Sequence, residues 1–297
     1  MRSAPFLQAL AVAGLLLAPL ACKQTGSRSA KNHTVIQNTG SDTMVNAAQA
    51  WAEEYSALHP DVSVEVSGGG SGTGIAALIN GTVDIANCSR KVEPVESQKA
   101  KANTGRDPVE LVVGYDAMGI FVHKDNPLPS ISLEQLAEIY GERGSITRWS
   151  QLGIQMPEGA DEIILIGRQS NSGTYHYFRE TVLGKKRDFK LGSRDMHGSK
   201  DVVELVTKTP GAISYSGIGY AMPGARMVPV VLRPGTPPVA PSAETTLDGS
   251  YPIARPLFMY TLGHPQGPIK DYLDWILGEQ GQAMLARSGY IPLPKRK

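Results

Sequence analysis

Cysteine is almost missing from this chain: two occur in 297 residues, at positions 22 and 88. One disulfide is the most they allow, so a disulfide framework is excluded as the basis of the fold. Histidine is nearly as sparse. The six present show no His-x-x-x-His or other ligand spacing, and no metal is expected. Net charge is missing too. Setting aside residues 1–21, whose only charge is Arg2, leaves 28 basic against 28 acidic side chains. A neutral chain offers no footprint for nucleic acid, so any anion recognition has to be local. No apolar run is long. Ala9 to Leu20 gives about twelve residues, too few to span a bilayer. Nor is there a Gly-x-x-x-x-Gly-Lys-Ser/Thr loop, a Gly-x-Gly-x-x-Gly fingerprint or a Gly-x-Ser-x-Gly elbow; Thr73 stands where the last glycine of an elbow around Ser71 would be. Nucleotide binding is therefore not indicated, and no cofactor is expected.

What is present begins with a targeting segment, residues 1–21, in which Arg2 precedes the short apolar run. It ends in Leu17-Ala18-Pro19-Leu20-Ala21-Cys22, which resembles the lipobox of bacterial lipoproteins, with Pro19 in the place usual for leucine. The resemblance implies that Cys22 is lipidated, that the chain is exported, and that a lipid anchor alone holds it to a membrane. Residues 22–32 are polar and Gly/Ser-containing, a flexible tether. Cys88, then unpaired, ends an apolar run and is read as a small buried hydrophobe.

Beyond the tether, apolar β runs alternate with amphipathic helical patterns. His33 to Asn38 reads as a strand; Thr43 to Leu58 as a helix with Met44, Ala48, Trp51, Tyr55 and Leu58 on one stripe. Val62, Val64 and Val66 alternate as a second strand, and Val83 to Ala86 reads as a third. Val109–Tyr115 and Met118–Val122 are consecutive strand runs where the chain crosses between lobes. Thr174 to Leu183 is a helix, residues 233–250 with four prolines are irregular, and Ile269 to Ala286 contains an amphipathic helix. Such alternation predicts an α/β fold with largely parallel sheets and ligands at the carboxyl ends of strands.

Three places share one local design, in which a β run leads through a Ser/Thr/Gly loop into a helix: Gly40-Ser41-Asp42-Thr43, Gly68-Gly69-Gly70-Ser71-Gly72-Thr73-Gly74 and Arg168-Gln169-Ser170-Asn171-Ser172-Gly173-Thr174. A helix start presents unpaired N–H groups and a partial positive charge. Hydroxyls add rotatable donors, and an arginine adds a planar fork. The set predicts a grip on a small tetrahedral oxyanion. Ser71, Ser172 and Thr174 fit ordinary helix capping as well, since both roles use one helix end. Asp42 is either an N-cap of the helix after it or an acceptor for a ligand proton, which phosphate carries and sulfate or molybdate does not. Ser89 and Arg90 follow the third strand; Arg90 contacts ligand or pairs with an acid such as Asp84, which closes a turn.

These loops, together with Asn80-Gly81-Thr82-Val83-Asp84-Ile85-Ala86 and the tail Gly289-Tyr290-Ile291-Pro292, in this order over about residues 33–293, resemble the phosphate-binding protein (PstS) family of ABC transporters. The resemblance implies the two-lobed type II periplasmic-binding-protein fold with hinge strands between the lobes. It divides the chain into lobe 1, residues 33–115 plus 258–297, and lobe 2, residues 116–257. It also implies a monomer that is no enzyme, binds inorganic phosphate between its lobes and delivers it to the membrane subunits of an ABC permease. Carried over by position, the phosphate-binding residues are Ser41, Asp42, Thr43, Ser71, Ser89, Arg90, Arg168, Ser172, Gly173 and Thr174. Well-known members place an aspartate just after the third strand, where this chain has Ser89-Arg90. A binder of sulfate or molybdate, a phosphate sensor and a phosphoesterase using Ser71 or Ser172 are the alternatives on the same fold.

Overall fold

The computed structural model describes residues 33–295. The targeting segment, Cys22 and the tether lie outside the described residues. The order is β1 (Thr34–Gly40), α1 (Val45–Leu58), β2 (Val62–Ser67), α2 (Ser71–Ile79), β3 (Ile85–Cys88), α3 (Pro94–Thr104), β4 (Pro108–His123), β5 (Ile131–Ser132), α4 (Leu133–Tyr140), β6 (Ile164–Arg168) and α5 (Gly173–Phe178). Then come β7 (Arg194–Met196), α6 (Ser199–Thr207), β8 (Ala212–Gly217), β9 (Ala225–Val228), β10 (Val230–Val231), α7 (Ala243–Leu247), β11 (Ala254–Leu262), α8 (Gly267–Leu277) and α9 (Glu279–Arg287).

Among the described residues the main sheet has nine strands, ordered β2-β1-β3-β11-β4-β8-β6-β7, with β9 also on β4. Strands β2, β1 and β3 are mutually parallel, as are β8, β6 and β7. Two antiparallel strands join these halves. The first part of β4, Pro108–Ala117, pairs with β11, and its second part, Met118–His123, pairs with β8 and β9. A 16-residue strand that changes partners midway is the physical form of the expected crossover. The architecture is α/β and two-lobed, with β4 and β11 as hinge strands. Loops after β1, β3 and β6 therefore leave the carboxyl ends of parallel strands on either side of this junction.

One core runs from Ile36, Trp51 and Tyr55 through Met259 and Leu285 to Val202 and Val206 on α6; a second fills the β8 side around Trp149, Phe178 and Tyr215. Cys88 is buried and unbonded, in the small cluster with Ile75, Leu78 and Phe258, and burial pushes its thiol up.

Several elements differ from the sequence expectation. Leu58 closes the predicted stripe of α1 but is 48% exposed, because Tyr55 above it completes the packing against Tyr272 and Trp275. Strand β3 lies two residues later than expected, which carries Asn87 and Cys88 into the sheet. The two predicted strand runs after residue 109 are one strand, since exchanging partners requires no turn. The helix from residue 174 is α only to Phe178 and continues as a wide π turn, Arg179–Leu183. The predicted C-terminal helix is two helices divided at Gly278, and residues 233–250 contain α7, capped by Ser242.

Candidate functional site

Strand β1 ends in the Gly40–Thr43 turn, tied to β3 by the Ser41 N–H donating to Asn87 O at 2.8 Å. Ser41 Oγ donates to Ser89 Oγ at 3.0 Å, and Ser89 Oγ lies 3.3 Å from Ser71 Oγ. Ser71 Oγ also accepts the Ser89 N–H at 3.0 Å. Three hydroxyls from three separate loops thus form one chain, all at most 2% exposed. The glycine before them is required by geometry. Gly70 has φ +92°, and a Cβ there would lie 2.6 Å from Asn171 O.

Across the junction stands the loop after β6. Ser172 caps α5, its Oγ accepting the N–H groups of Thr174 at 3.1 Å and Tyr175 at 3.4 Å. Gly173 follows at the tightest point, where a Cβ would meet Ser71 Oγ at 2.3 Å and Ser89 Oγ at 2.6 Å. Thr174 Oγ1 lies 2.7 Å from Thr43 Oγ1, a hydroxyl pair with one member from each parallel half of the sheet. The Gly72 N–H donates to Asn171 O at 2.9 Å, and Asn171 Nδ2 donates to Gly69 O at 2.8 Å, which bolts the second and third loops together.

Arg168, fully buried at the end of β6, is fixed by three acceptors. Nη1 donates to Ser199 Oγ at 2.6 Å, and Nη2 donates to His197 O and to Asp42 Oδ2, both at 2.8 Å. Its Nε is buried with no protein partner. A guanidinium donor is costly to bury unpaired, a condition that the Nε atoms of Arg90 and Arg179 share. Burial pulls the Arg168 guanidinium below its ordinary value; the Asp42 charge opposes that, and the positive charge of Arg255 adds to it.

Asp42 does not cap α1, which has no side-chain cap; its Oδ1 accepts the Gly69 N–H at 2.8 Å while Oδ2 holds Arg168. Ser41, Asp42, Thr43, Ser71, Ser89, Arg168, Ser172, Gly173 and Thr174 are thus brought together. Arg90 is turned to α3. Its two terminal nitrogens each donate to Glu96 at 2.8 Å, and Nη1 also reaches Lys91 O. The partner is Glu96 and not Asp84, which does not close a turn as expected: its Oδ2 accepts the Gln37 N–H and its own N–H donates to Gln37 O, tying the start of β3 to β1.

Two functional-looking residues were not singled out from the sequence. Asp116 on β4 and Arg255 on β11 form a second buried acid–guanidinium pair beneath the hydroxyls, with Nε and Nη2 at 3.0 and 2.8 Å from Oδ2. The available signal was a lone charge inside an apolar strand, which in a fully buried strand demands a partner. Two acids thus offset two guanidinium groups, so the site gathers donors without gathering net charge. Among the described residues, no group of three His, Cys, Asp or Glu side chains is arranged to hold a metal, and no helix is long and apolar enough to cross a membrane.

A family model described as a PBP superfamily domain matches residues 26–280. The phosphate-binding protein PstS of Pseudomonas aeruginosa is 35% identical over 271 residues, covering 88% of this chain and 84% of that protein. PstS of Bacillus subtilis is 30% identical, covering 97% of this chain and 94% of that protein. Among solved structures, a putative phosphate ABC transporter substrate-binding protein of Clostridium perfringens with bound phosphate superposes with a TM-score of 0.77 at 28% identity, covering 88% of this chain and all of that one. An ABC-type phosphate transport receptor of Vibrio cholerae gives 0.68 at 25% identity, with 87% and 100% covered.

Proposed function

This chain belongs to the PBP superfamily and, within it, to the phosphate-binding proteins called PstS, and from that premise we propose that it binds inorganic phosphate between its lobes and hands it to an ABC permease for import. The observation that carries the reading is the convergence of Ser41, Ser71 and Ser89 with Gly173 and Thr174 from the loop across the junction, beside a buried Arg168 that Asp42 of the first loop holds. Hydroxyls and a guanidinium N–H are donors a tetrahedral oxyanion takes, although both terminal nitrogens of the Arg168 fork already serve Ser199, His197 and Asp42, and wrong anions leave such donors unpaired at a cost.

In this reading Ser41, Thr43, Ser71, Ser89, Ser172, Gly173 and Thr174 line the phosphate site and Arg168 grips it. Asp42 is the counter-charge that aims Arg168, and each of its oxygens keeps a lone pair for a ligand proton. Arg90 acts from outside, bracing the loop after β3 through Glu96. Lobe 1, residues 33–115 with 258–297, and lobe 2, residues 116–257, close by rotation about β4 and β11. Residues 1–21 direct export, and lipid on Cys22 holds the monomer at the outer side of a membrane beside the permease. The role is binding and delivery, with no catalytic step.

Calorimetric titration of the unlipidated chain tests this. Phosphate is expected to bind in a one-to-one ratio and sulfate and molybdate far more weakly. Arg168→Ala is expected to lose at least about a hundredfold in affinity, the worth of a charge-assisted buried contact. Turnover of a phosphomonoester lost in Ser71→Ala or Ser172→Ala, or preference for sulfate, would overturn it.

A further inference from the structure

We propose that Arg255, on hinge strand β11, is a positioning residue of the ligand site: its guanidinium fills acceptor positions on Thr43 and Thr174 and thereby turns a hydroxyl hydrogen into the cleft. The inference rests on the reading of that cleft as a phosphate site.

Arg255 lies directly across the β11–β4 ladder from Asp116, and both are buried. The pair alone does not explain the arginine. A buried ion pair is weak evidence for stability, and an apolar pair of similar volume often serves as well. What separates this guanidinium from a brace is where its other donors go. Nη1 donates to Ser89 O at 3.1 Å, at the end of β3. Nη2 donates to Thr174 Oγ1 at 3.0 Å and reaches Thr43 Oγ1 at 3.4 Å. The Tyr177 ring covers its face, 5.4 Å from the guanidinium carbon. One side chain on the hinge therefore touches the third-strand loop, the first loop and helix α5.

Hydrogen counting gives the consequence. A guanidinium only donates, whereas each threonine hydroxyl carries one hydrogen and two lone pairs. The Thr43–Thr174 bond at 2.7 Å uses one of the two hydrogens. One Nη2 hydrogen goes to Asp116 and the other is shared between the two threonine oxygens. Whichever threonine accepts in the Thr43–Thr174 bond then has both lone pairs filled, and its own hydrogen is left to point away from the guanidinium, toward an acceptor between the lobes. Without Arg255 the same oxygens are free to turn lone pairs toward an anion, which repels it. Lysine cannot reproduce this, since its compact ammonium lacks the planar fork that meets Asp116, Ser89 O and both threonines at fixed angles.

The test is a double-mutant cycle in phosphate affinity, read by calorimetry on the wild-type chain, Arg255→Lys, the double variant Thr43→Val with Thr174→Val, and all three changes combined. Arg255→Lys is expected to weaken phosphate about tenfold or more in the wild-type background and less than about twofold when both threonines are valine. Equal losses in the two backgrounds, or unchanged affinity with only a lower Tm, would show a merely structural arginine and overturn the proposal. Arg255→Met with Asp116→Leu guards against misfolding of the lysine variant. It is expected to fold, since it replaces the buried ion pair by an apolar pair, yet to bind phosphate about tenfold more weakly; wild-type affinity there also overturns the proposal. A wild-type protein that ignores phosphate overturns the phosphate reading, and this inference with it, whereas an additive cycle on a phosphate-binding wild type removes this inference alone.

Discussion

Gly173 shows how narrowly the cleft is cut. A single methyl at this position would stand 2.3 Å from Ser71 Oγ and 2.6 Å from Ser89 Oγ, groups carried by the other lobe. Within one lobe nothing forbids alanine at the start of a helix. Gly173→Ala is therefore expected to leave the unliganded protein's Tm nearly unchanged and to weaken phosphate by two orders of magnitude or more, as overpacking at a closing interface predicts. Thermal melts with and without phosphate check both halves, since the rise in Tm on adding ligand follows the logarithm of ligand concentration over Kd. The residues of this cleft divide by how visible they are in the chain. Ser71, Ser172, Gly173 and Thr174 could be read from the sequence because each sits in a local loop-to-helix pattern. Asp116 and Arg255 signal only that a charge in an apolar strand needs a partner; which partner is not visible, because the contact is made 139 residues apart. The capping role considered for Asp42 gives way for the same reason, since its partners Gly69 and Arg168 belong to other loops.

At the scale of elements, helix α3 is instructive because its apolar stripe is nearly absent; Ala100 alone is buried on it. Periodicity does not reveal such a helix. It stands on its ends: Pro94 at the first turn, the Glu93–Glu96 capping box, and Gly105 in the left-handed conformation after it. Glu96 also grips Arg90, so the loop carrying Ser89 depends on this helix start. Burial pushes the Glu96 carboxyl up, but the hydrogen bonds from Arg90 and the Glu93 N–H, with the Arg90 charge, hold it below its ordinary value of 4.5. A carboxyl lowered in the folded state contributes stability at neutral pH that is lost as pH falls through 4.5 toward its folded value. Glu96→Gln is expected to lower stability at neutral pH and to flatten the acid limb, as urea melts across that range will show; an unchanged slope would contradict it. By contrast β1, β2 and α1 were legible, because their apolar residues repeat at strand and helix spacing. Helices α8 and α9 were read as one, since Gly278 interrupts the chain without interrupting the apolar pattern.

At the scale of the whole molecule, the design is two parallel half-sheets sharing two antiparallel strands. Strand β4 serves both halves, and β11 carries Arg255 to their junction, so the chain crosses between lobes on backbone that is already hydrogen-bonded. The loops at the carboxyl ends of β1, β3 and β6 meet at this junction, the place where the proposed lobe closure acts. The crossing was legible as two adjacent apolar runs; that they form a single strand was not, because a change of partner leaves no mark in composition. The central claim is that both lobes hold one phosphate ion together. A crystal structure of the protein grown with phosphate tests it most directly. One ion is expected, within hydrogen-bond distance of Arg168 Nε, of a Ser71 or Ser89 hydroxyl, and of the Gly173–Thr174 turn. An ion held by one lobe alone, or by residues elsewhere with Arg168 Nε left without an acceptor, would contradict it.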